Sequence, residues 1–412
     1  MRVQPITCYR PNPHAAETFA ALPYDVFNRA EAAAYVAEHP GSFLAIDRPE
    51  TAFGPDQDMY APEVYAKAGE LIRAKAYEGT LLKDTTPCFY LYRLEMDGRS
   101  QLGVVAACSV AEYESSVIKR HEKTRPEKTA DRVKHIRATG AQTGPVFLTY
   151  RDNLAIDIIV DVARSASPLY DFTDEQGVRQ TIWRVARPVA VEALADAFSL
   201  VPCAYIADGH HRASAAAQVA HDLREEAGNP DEELASDLFL AVLFPASQLY
   251  VMPYNRVVVD TAGLDEPALL HAIEQAGFEV GPAQAEPVEP SEARRFGLYA
   301  FGSWHVLRHV GEAPDPKAGP AASLDVSILQ ERVLGPILGI DDPRTSKRIQ
   351  FVGGIEGTEG LERRAGSTGI AFSLCPTSVD ELMAVSDAGE LMPPKSTWFE
   401  PKLRSGLFVR RV

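Results

Sequence analysis

The chain has 412 residues, of which 46% are hydrophobic and 24% are charged, a composition typical of globular proteins. Its 57 acidic residues outnumber its 41 lysines and arginines, which gives a formal charge of −16. This surplus argues against a broad surface for nucleic acid or anionic membrane, although it is compatible with a local basic pocket. The length allows about two to three domains' worth of core.

The cysteines and the hydropathy pattern indicate where the protein resides. Its five cysteines are scattered and never spaced as C-x-x-C, which fits neither a disulfide framework nor a zinc ribbon. The start of the chain has no apolar run long enough for a signal peptide. The longest charge-free stretch, 238–255, contains Pro245 and Pro253 and predicts two strands that pair, not a membrane helix. We therefore expect a soluble, cytoplasmic protein.

Apolar spacing predicts the elements in chain order. A helix over 61–77 comes first, and two strand-like runs joined by an Asp-Gly turn then predict a hairpin over 88–110. The later predicted helices lie at 115–139, 189–198, 210–224, 267–277, 324–338 and 379–385. Ser378, with Glu381 three residues on, predicts a capping box for the last of these helices. The later predicted strands lie at 144–150, 156–163, 180–186, 204–207, 238–244, 249–259, 298–310, 348–352 and 370–374.

Strands and helices alternate without βαβ regularity, so the predicted fold class is α+β and not a doubly wound sheet. Proline-rich segments at 281–293 and 311–322 flank the hairpin predicted at 298–310. This shift in composition predicts a first domain at 1–280 and a smaller C-terminal α+β region at 281–412.

The sequence Ala207-Asp208-Gly209-His210-His211-Arg212 lies where a predicted strand passes through a glycine into a helix. Free backbone N–H groups and the positive end of the helix dipole meet at such a start, and the histidines and arginine add donors, as a phosphate cradle requires. Alternatively, Asp208 only caps the helix and the histidines face solvent. A zinc site is less favoured, because adjacent residues point about 100° apart around a helix.

A second charged cluster begins at His121 and includes Glu122, Lys123 and Thr124, with Arg132 following. A glutamate beside cations can act as general base on a hydroxyl, while Lys123 and Arg132 can offer positive charge to a transferring phosphate. The alternative for this segment is a solvated, charged helix.

Two further segments supply auxiliary candidates. Tyr24 and Asp25 lie in a proline-led turn, a pattern that usually has no further role. The terminal segment 392–402 combines stiff prolines with hydroxyls and cations that can hold an anion, although an aromatic-anchored turn explains it nearly as well. Its candidate residues are Lys395, Ser396, Thr397 and Lys402, to which we add Arg256.

These motifs together resemble a known family. In order, Leu22-Pro-Tyr-Asp-Val26, His121-Glu-Lys-Thr124, Ala207-Asp-Gly-His-His-Arg212 and the segment 392–402 resemble the bacterial family catalogued as domain of unknown function 1015. The order of the two central motifs is also similar to SerK-like free serine kinases. That resemblance implies a ParB/sulfiredoxin-like mixed core with additional hairpins. Asn255 departs from the pattern, since many family members have histidine there.

The resemblance also implies roles for the candidates. Glu122 looks like the base for the substrate hydroxyl, and Asp208 like a second acid that assists this base or a Mg²⁺ ion held with the phosphates. The phosphate-binding and nucleotide-binding set is Gly209, His210, His211, Arg212, Lys123, Thr124 and Arg132. No cage made of protein ligands alone is expected for a metal.

The expected function is therefore that of a small-molecule kinase. ATP, ADP or pyrophosphate is the phosphoryl donor, with Mg²⁺, and free L-serine or a similar metabolite is the acceptor. The alternative is a nucleotide-binding, ParB-like regulatory protein without metabolite kinase activity. DNA binding is disfavoured by the charge, and the sequence leaves open whether the chain forms a homodimer.

Overall fold

A computed structural model describes residues 1–312 and 316–412, so residues 313–315 of the predicted proline-rich segment lie outside the described part. The chain forms two compact units. The first contains Met1–Lys119, Thr124–Leu249 and Pro401–Val412, and the second contains Arg120–Lys123 and Tyr250–Glu400. The boundary predicted near residue 280 falls inside the second unit, and the functional division at that residue stays a prediction.

Strands run through both units. They are β1 (Val3–Gln4), β2 (Tyr9–Pro11), β3 (Leu81–Lys83), β4 (Phe89–Met96), β5 (Arg99–Ser109), β6 (Ile118–Lys119), β7 (Ala141–Gln142), β8 (Val146–Tyr150), β9 (Tyr170–Thr173), β10 (Arg179–Val185), β11 (Ala204–Asp208), β12 (Leu238–Pro245), β13 (Tyr250–Met252), β14 (Tyr254–Val258), β15 (Phe278–Val280), β16 (Arg295–Ala300), β17 (Ser303–His309), β18 (Ile349–Gly353), β19 (Ile370–Leu374), β20 (Trp398–Glu400) and β21 (Arg410–Arg411).

Helices are interspersed among these strands, as expected for the α+β class. They are α1 (Ala16–Phe19), α2 (Arg29–Glu38), α3 (Leu44–Asp47), α4 (Pro62–Tyr77), α5 (Val110–Glu114), α6 (Pro126–Thr139), α7 (Leu154–Ala163), α8 (Pro188–Ser199), α9 (His210–Glu226), α10 (Glu266–Gln275), α11 (Asp325–Leu329), α12 (Gly357–Ala365) and α13 (Val379–Asp387). Short 3-10 turns and a π-helical turn at Gln330–Leu334 complete the described structure.

The first unit is built around a nine-stranded mixed sheet with the order β6-β11-β8-β12-β5-β4-β10-β9, in which β1 also pairs with β5. Strand β12 pairs in parallel with β8 and antiparallel with β5. All eight residues of β12 are buried, as its uninterrupted apolar sequence requires of a strand covered on both faces. This arrangement places β11, and the turn that follows it, next to β8.

The second unit contains a six-stranded antiparallel sheet with the order β15-β17-β16-β19-β14-β18. Trp304 of β17 is only 1% exposed and its indole N–H donates to Glu362 of α12 over 2.7 Å, so a large aromatic is buried with its polar atom satisfied. A separate two-stranded ladder pairs β13 with β20. This ladder pairs residues 398–400 of the terminal motif with residues 250–252, where the long segment of this unit begins.

Several sequence predictions are confirmed. The hairpin of β4 and β5 turns at Asp97-Gly98, and both residues have positive φ angles, as the Asp-Gly signal predicts. Helix α4 matches the predicted 61–77 segment, and α9 matches the predicted helix after Gly209. Helix α13 begins with the predicted capping box, in which Ser378 and Glu381 satisfy each other's backbone N–H.

The predicted strand at 156–163 is wrong, because this segment forms helix α7. The side chain of Asn153 accepts hydrogen bonds from the backbone N–H groups of Ala155 and Ile156 and starts the helix. Ile156 and Val160 are buried one turn apart, whereas Leu154 is 74% exposed. The helix has apolar residues on its exposed face as well, and this removed the periodicity that separates helix from strand.

One predicted strand pairing and two predicted helix boundaries also differ from the structure. The segments 238–244 and 249–259 do not pair, because β12 lies in the first unit's sheet whereas β14 pairs with β18 and β19. Within the predicted 115–139 helix, helical structure begins only at Pro126, whose missing N–H suits a first turn. The predicted 324–338 helix is shorter and passes into the π-helical turn.

Candidate functional site

The turn between β11 and α9 is a glycine turn at the N-terminus of a long helix. Gly209 adopts φ +95°, and α9 then runs for 17 residues from His210. The backbone N–H of Gly209 donates to Asp208 Oδ1 over 2.7 Å. A positive φ angle is costly for residues with a Cβ atom, so glycine is required here.

Two cations lie beside the carboxylate of Asp208. Arg212 Nη2 and Lys402 Nζ are each 3.6 Å from Asp208 Oδ2. The Arg212 guanidinium also donates through Nη1 to the carbonyl of Pro145, which fixes its orientation. The predicted junction motif and the end of the terminal motif are therefore brought together within the first unit.

Gly209→Ala is expected to destabilise the protein more than Gly177→Ala does. Both glycines have positive φ angles, and an L-residue there costs about 1–2 kcal/mol. At position 177 nothing lies within 4 Å of an added Cβ, but at position 209 it would lie 2.9 Å from Arg212 Nε. The guanidinium must then move from its partners. Urea unfolding measures both variants, and equal losses of stability would contradict this close-packed turn.

The segment before α6 also contacts the junction. The backbone N–H of Arg125 donates to His211 Nε2 over 3.0 Å, so Nε2 is the acceptor and a neutral ring carries its proton on Nδ1. The neighbouring Thr124 is half-buried. His210 is buried, at 6% exposed, at the first position of α9. The bond from the backbone N–H of Arg125 therefore holds the ring of His211, which does not simply face solvent.

A cleft lies in the first unit beside this junction. Its volume is about 480 Å³ when the open solvent at its mouth is included, and its walls include Tyr24, Arg132 and Arg212. Arg132 lies over the ring of Tyr24, with its guanidinium carbon 3.9 Å from the ring centroid. This is a close cation-π contact. Asp25, the other candidate of the same turn, is exposed.

Arg132 is held in the cleft by a buried ion pair with Asp131. Its Nε and Nη2 lie 2.9 and 2.8 Å from Asp131 Oδ2, and the hydroxyl of Tyr65 donates to Asp131 Oδ1 over 2.8 Å. Burial on its own raises the pKa of the Asp131 carboxyl, but Arg132 and Tyr65 outweigh burial, and the pKa is lowered. The pair therefore stays charged at neutral pH.

Asp131→Asn is expected to lower the free energy of unfolding by about 3 kcal/mol, because it leaves the buried Arg132 charge unpaired. Since folding lowers the pKa of Asp131, its contribution is present above the unfolded value of about 3.9 and is lost as pH falls through the folded value. The stabilities of wild type and variant should therefore converge below about pH 4.

The control for this prediction is Asp171→Asn, which breaks an exposed ion pair with Arg179. We expect a loss of no more than about 1 kcal/mol, because solvent screens this pair. Urea unfolding between neutral and acid pH measures both variants. An Asp131→Asn loss as small as that of the control would contradict the importance of the buried pair.

In the second unit, His121 is anchored on the terminal motif. Its carbonyl accepts from the backbone N–H of Met392 over 2.8 Å, and its Nε2 lies 3.5 Å from Thr397 Oγ1. These contacts therefore hold the chain in place at His121, the residue before Glu122. Glu122 itself is half-buried, and Lys123 is exposed.

The remaining auxiliary candidates hold the terminal loop in shape. Arg256 Nη2 donates to the carbonyls of Pro394 and Lys395 over 3.3 and 3.0 Å. Burial lowers the pKa of Arg256 to about 10. The Ser396 hydroxyl donates to the carbonyl of Pro393 over 2.7 Å, which completes a turn. A phosphate-binding role for Arg256 and Ser396 stays a prediction beside these observed bonds.

Asn255, which departs from the family pattern, also has a structural role. It is buried, and its Oδ1 accepts from the backbone N–H of Leu374 over 3.0 Å. That bond ties β14 to the end of β19. Its amide thus satisfies a backbone group that would otherwise be buried without a partner.

The candidates divide between the units. The first contains Tyr24, Asp25, Thr124, Arg132, the 208–212 junction and Lys402, and the second contains Glu122, Lys123, Arg256 and residues 395–397. Convergence of Glu122 and Asp208 on one substrate stays a prediction. Sequence reasoning missed Asp47, Thr143 and Ser405, which also line the cleft. These residues come from separated segments, and no local pattern links them.

The model of a family described as proteins of unknown function, DUF1015, matches residues 3–327 of the chain. The chain belongs to the DUF1015 family. The resemblance noted from the motifs is thereby confirmed for the family. The search of curated proteins found no match. Within the described residues of this DUF1015 protein, no helix combines the length and apolar character needed to cross a membrane.

Solved structures similar to this DUF1015 protein include SbnI from Staphylococcus aureus, truncated at its C-terminus, with 13% identity and a TM-score of 0.37. The match covers 74% of this chain and 87% of that one. A free serine kinase variant in complex with ADP has 14% identity and a TM-score of 0.36, over 75% and 91% of the two chains. A conserved hypothetical protein from Pyrococcus furiosus gives 14% and 0.36, over 75% and 95%. TM-scores this low assign no activity to the chain.

Proposed function

We propose that this protein is a small-molecule kinase that transfers a phosphoryl group from a nucleotide or pyrophosphate to the hydroxyl of free L-serine or a similar metabolite. The observation that carries the proposal is the environment of Asp208. Its carboxylate lies at a glycine turn before a long helix, 3.6 Å from both Arg212 and Lys402. Carboxylate, cations and a helix N-terminus together suit a phosphate chain with its metal ion.

The proposed chemistry requires one base and several positive charges. Glu122 takes the proton of the acceptor hydroxyl as its oxygen bonds to the terminal phosphorus of the phosphoryl donor. The bond from that phosphorus to its bridging oxygen breaks, and the donor leaves one phosphoryl group shorter. Gly209, His210, His211 and Arg212 contact the phosphates, with Lys123 and Thr124 as the further predicted contacts. Positioning and charge neutralisation supply most of the catalysis in such transfers.

Mg²⁺ fits the donor set at the junction. Mg²⁺ is usually held by one or two carboxylates together with substrate phosphates, and Asp208 supplies one carboxylate with hard oxygen ligands. When bound, the ion would neutralise charge on the phosphates. Lys402 and Arg212 lie close enough to Asp208 to balance its negative charge. Asp208 would thus either hold the ion or assist Glu122.

Acceptor dependence tests this function. The purified protein is supplied with Mg²⁺ and ATP, ADP or pyrophosphate, and consumption of the phosphoryl donor is measured with and without L-serine. A kinase consumes the donor faster when its acceptor is added. Consumption that is the same with and without L-serine and related hydroxyl metabolites would contradict the kinase. It would favour the alternative, a nucleotide-binding regulatory protein of the ParB-like kind.

A further inference from the structure

A buried carboxylate without a cation partner lines the cleft of the first unit. Asp47 is only 2% exposed, and its Oδ1 accepts a hydrogen bond from the Thr143 hydroxyl over 2.7 Å. Within the described chain, Oδ2 accepts no hydrogen bond, and no lysine, arginine or histidine nitrogen lies within 4.0 Å of this carboxylate. A buried carboxylate is normally paired or fully hydrogen-bonded, so Oδ2 of Asp47 is left to accept from a ligand in the cleft.

The same cleft contains a buried guanidinium with an unused donor. Arg132 is 7% exposed, and its Nε and Nη2 are engaged by Asp131. Its Nη1 donates no hydrogen bond to any residue of the described chain. Tyr24 covers one face of the guanidinium, which leaves its edge to bind a ligand. Arg212, also on the cleft wall, adds a second positive charge.

The two groups are near one another but do not pair. Both line the cleft, yet their charged atoms are more than 4.0 Å apart. Burial lowers the pKa of Arg132, whereas Tyr24, Asp131 and Asp47 raise it, and the net direction is upward. The carboxylate therefore acts on the guanidinium through space across the cleft. A small molecule with one charge of each sign would satisfy both.

We propose that this cleft binds the head group of a free α-amino acid, with Asp47 receiving the ammonium and Arg132 the carboxylate. The proposal rests on the proposed function, because it assigns the acceptor's binding site. It narrows the acceptor from hydroxyl metabolites in general to zwitterionic amino acids that carry a hydroxyl, of which L-serine is the smallest.

Calorimetric titration of the full chain tests the site, with and without Mg²⁺ and ADP. The ligands are L-serine, 3-hydroxypropionate, which lacks the ammonium, and ethanolamine, which lacks the carboxylate. We expect wild type to bind L-serine at least about 10-fold more tightly than either analogue, because each analogue lacks one of the two charged groups that the cleft would contact. This comparison needs no variant. Absence of L-serine binding under both conditions, or equal binding of 3-hydroxypropionate, would overturn the proposal.

Variants assign each charge to its residue. Asp47→Asn should weaken L-serine binding about 10-fold or more and leave 3-hydroxypropionate within about 2-fold, because that analogue has no ammonium. Arg132→Lys should weaken both of these ligands, since it removes the planar fork, and should spare ethanolamine. Asp171→Asn, an exposed carboxylate paired with Arg179, is the matched control and should change nothing. A merely structural role for Asp47 would weaken all three ligands alike and overturn the assignment.

Failure of the site and failure of the kinase give different results. Selective L-serine binding without formation of phosphoserine from any phosphoryl donor would leave the site standing and remove the proposed function. Formation of phosphoserine with an unchanged KM for L-serine in Asp47→Asn would leave the proposed kinase function standing and remove the amino acid site. Thermal unfolding of each variant checks that the chain is folded in both measurements.

Discussion

Glu122→Gln is expected to lower turnover about 100-fold or more while leaving the affinity for the phosphoryl donor largely unchanged. Glutamine has nearly the shape of glutamate but cannot take up the proton that the acceptor hydroxyl loses. The segment around position 122 is held by the bonds from Met392 and Thr397 to His121, which the substitution does not touch. The expected loss is therefore one of chemistry and not of structure.

Steady-state kinetics on Glu122→Gln and a matched control test this prediction. The control is Glu127→Gln, the same chemical change in the exposed first turn of α6. It should keep wild-type turnover, since its only expected loss is a surface ion pair with Arg125. Unchanged turnover in Glu122→Gln would remove Glu122 from the mechanism. A loss of the same size in both variants would indicate a general effect of lost negative charge.

Asp208→Asn has an expected effect of comparable size, a fall in turnover of about 100-fold to 1000-fold. The variant keeps an oxygen for the N–H of Gly209 but loses the charge that faces Arg212 and Lys402. Two cations would then face the phosphates without a balancing carboxylate. Binding of the phosphoryl donor alone should become no weaker, because positive charge at the phosphate site is retained.

The Mg²⁺ dependence of Asp208→Asn separates the two roles open to this residue. If Asp208 holds Mg²⁺ with the phosphates, the concentration of Mg²⁺ needed for half-maximal turnover rises in the variant. If Asp208 assists Glu122, turnover falls while this concentration stays the same. Turnover close to wild type at every Mg²⁺ concentration would contradict both roles. Asp171→Asn again serves as the control for a lost surface carboxylate.

Local signals in the sequence predict much of this fold. The junction was found because a short apolar strand, a glycine and an Ala-rich helix follow one another, and Gly209 has the positive φ angle that such a turn requires. The Asp-Gly hairpin and the capping box of α13 were found for the same reason. Each of these signals lies within a few residues of the feature that it specifies.

The errors arise where distant parts of the chain decide the structure. Helix α7 has apolar residues on its buried and exposed faces, and only the cap at Asn153 distinguishes it from a strand. Strands β12 and β14 are close in sequence but pair in different sheets. Sheet partners are chosen by non-local packing, which a single sequence does not reveal.

The candidate site shows the same division between local and non-local information. The motifs indicated Arg132, Arg212 and Lys402 as cations. Arg132 and Arg212 pair with acids close to them in sequence, but Lys402 reaches Asp208 from a distant segment. Asp47 follows no motif, and its place in the cleft depends on the packing of α3 against α4 and on the contact of His135 in α6 with the carbonyl of Ile46. An unpaired buried carboxylate is visible only in three dimensions. The residues most informative about the acceptor were therefore outside the reach of sequence analysis.

Phosphorus NMR of reaction mixtures tests the central claim most directly. The protein with Mg²⁺ is incubated with ATP, ADP or pyrophosphate, each with and without L-serine, and the mixtures are compared with those of Glu122→Gln. A phosphoserine signal that needs both L-serine and Glu122 is the predicted result, and it identifies the phosphoryl donor at the same time. Nucleotide binding without a phosphorylated product from L-serine or related hydroxyl amino acids would contradict the kinase.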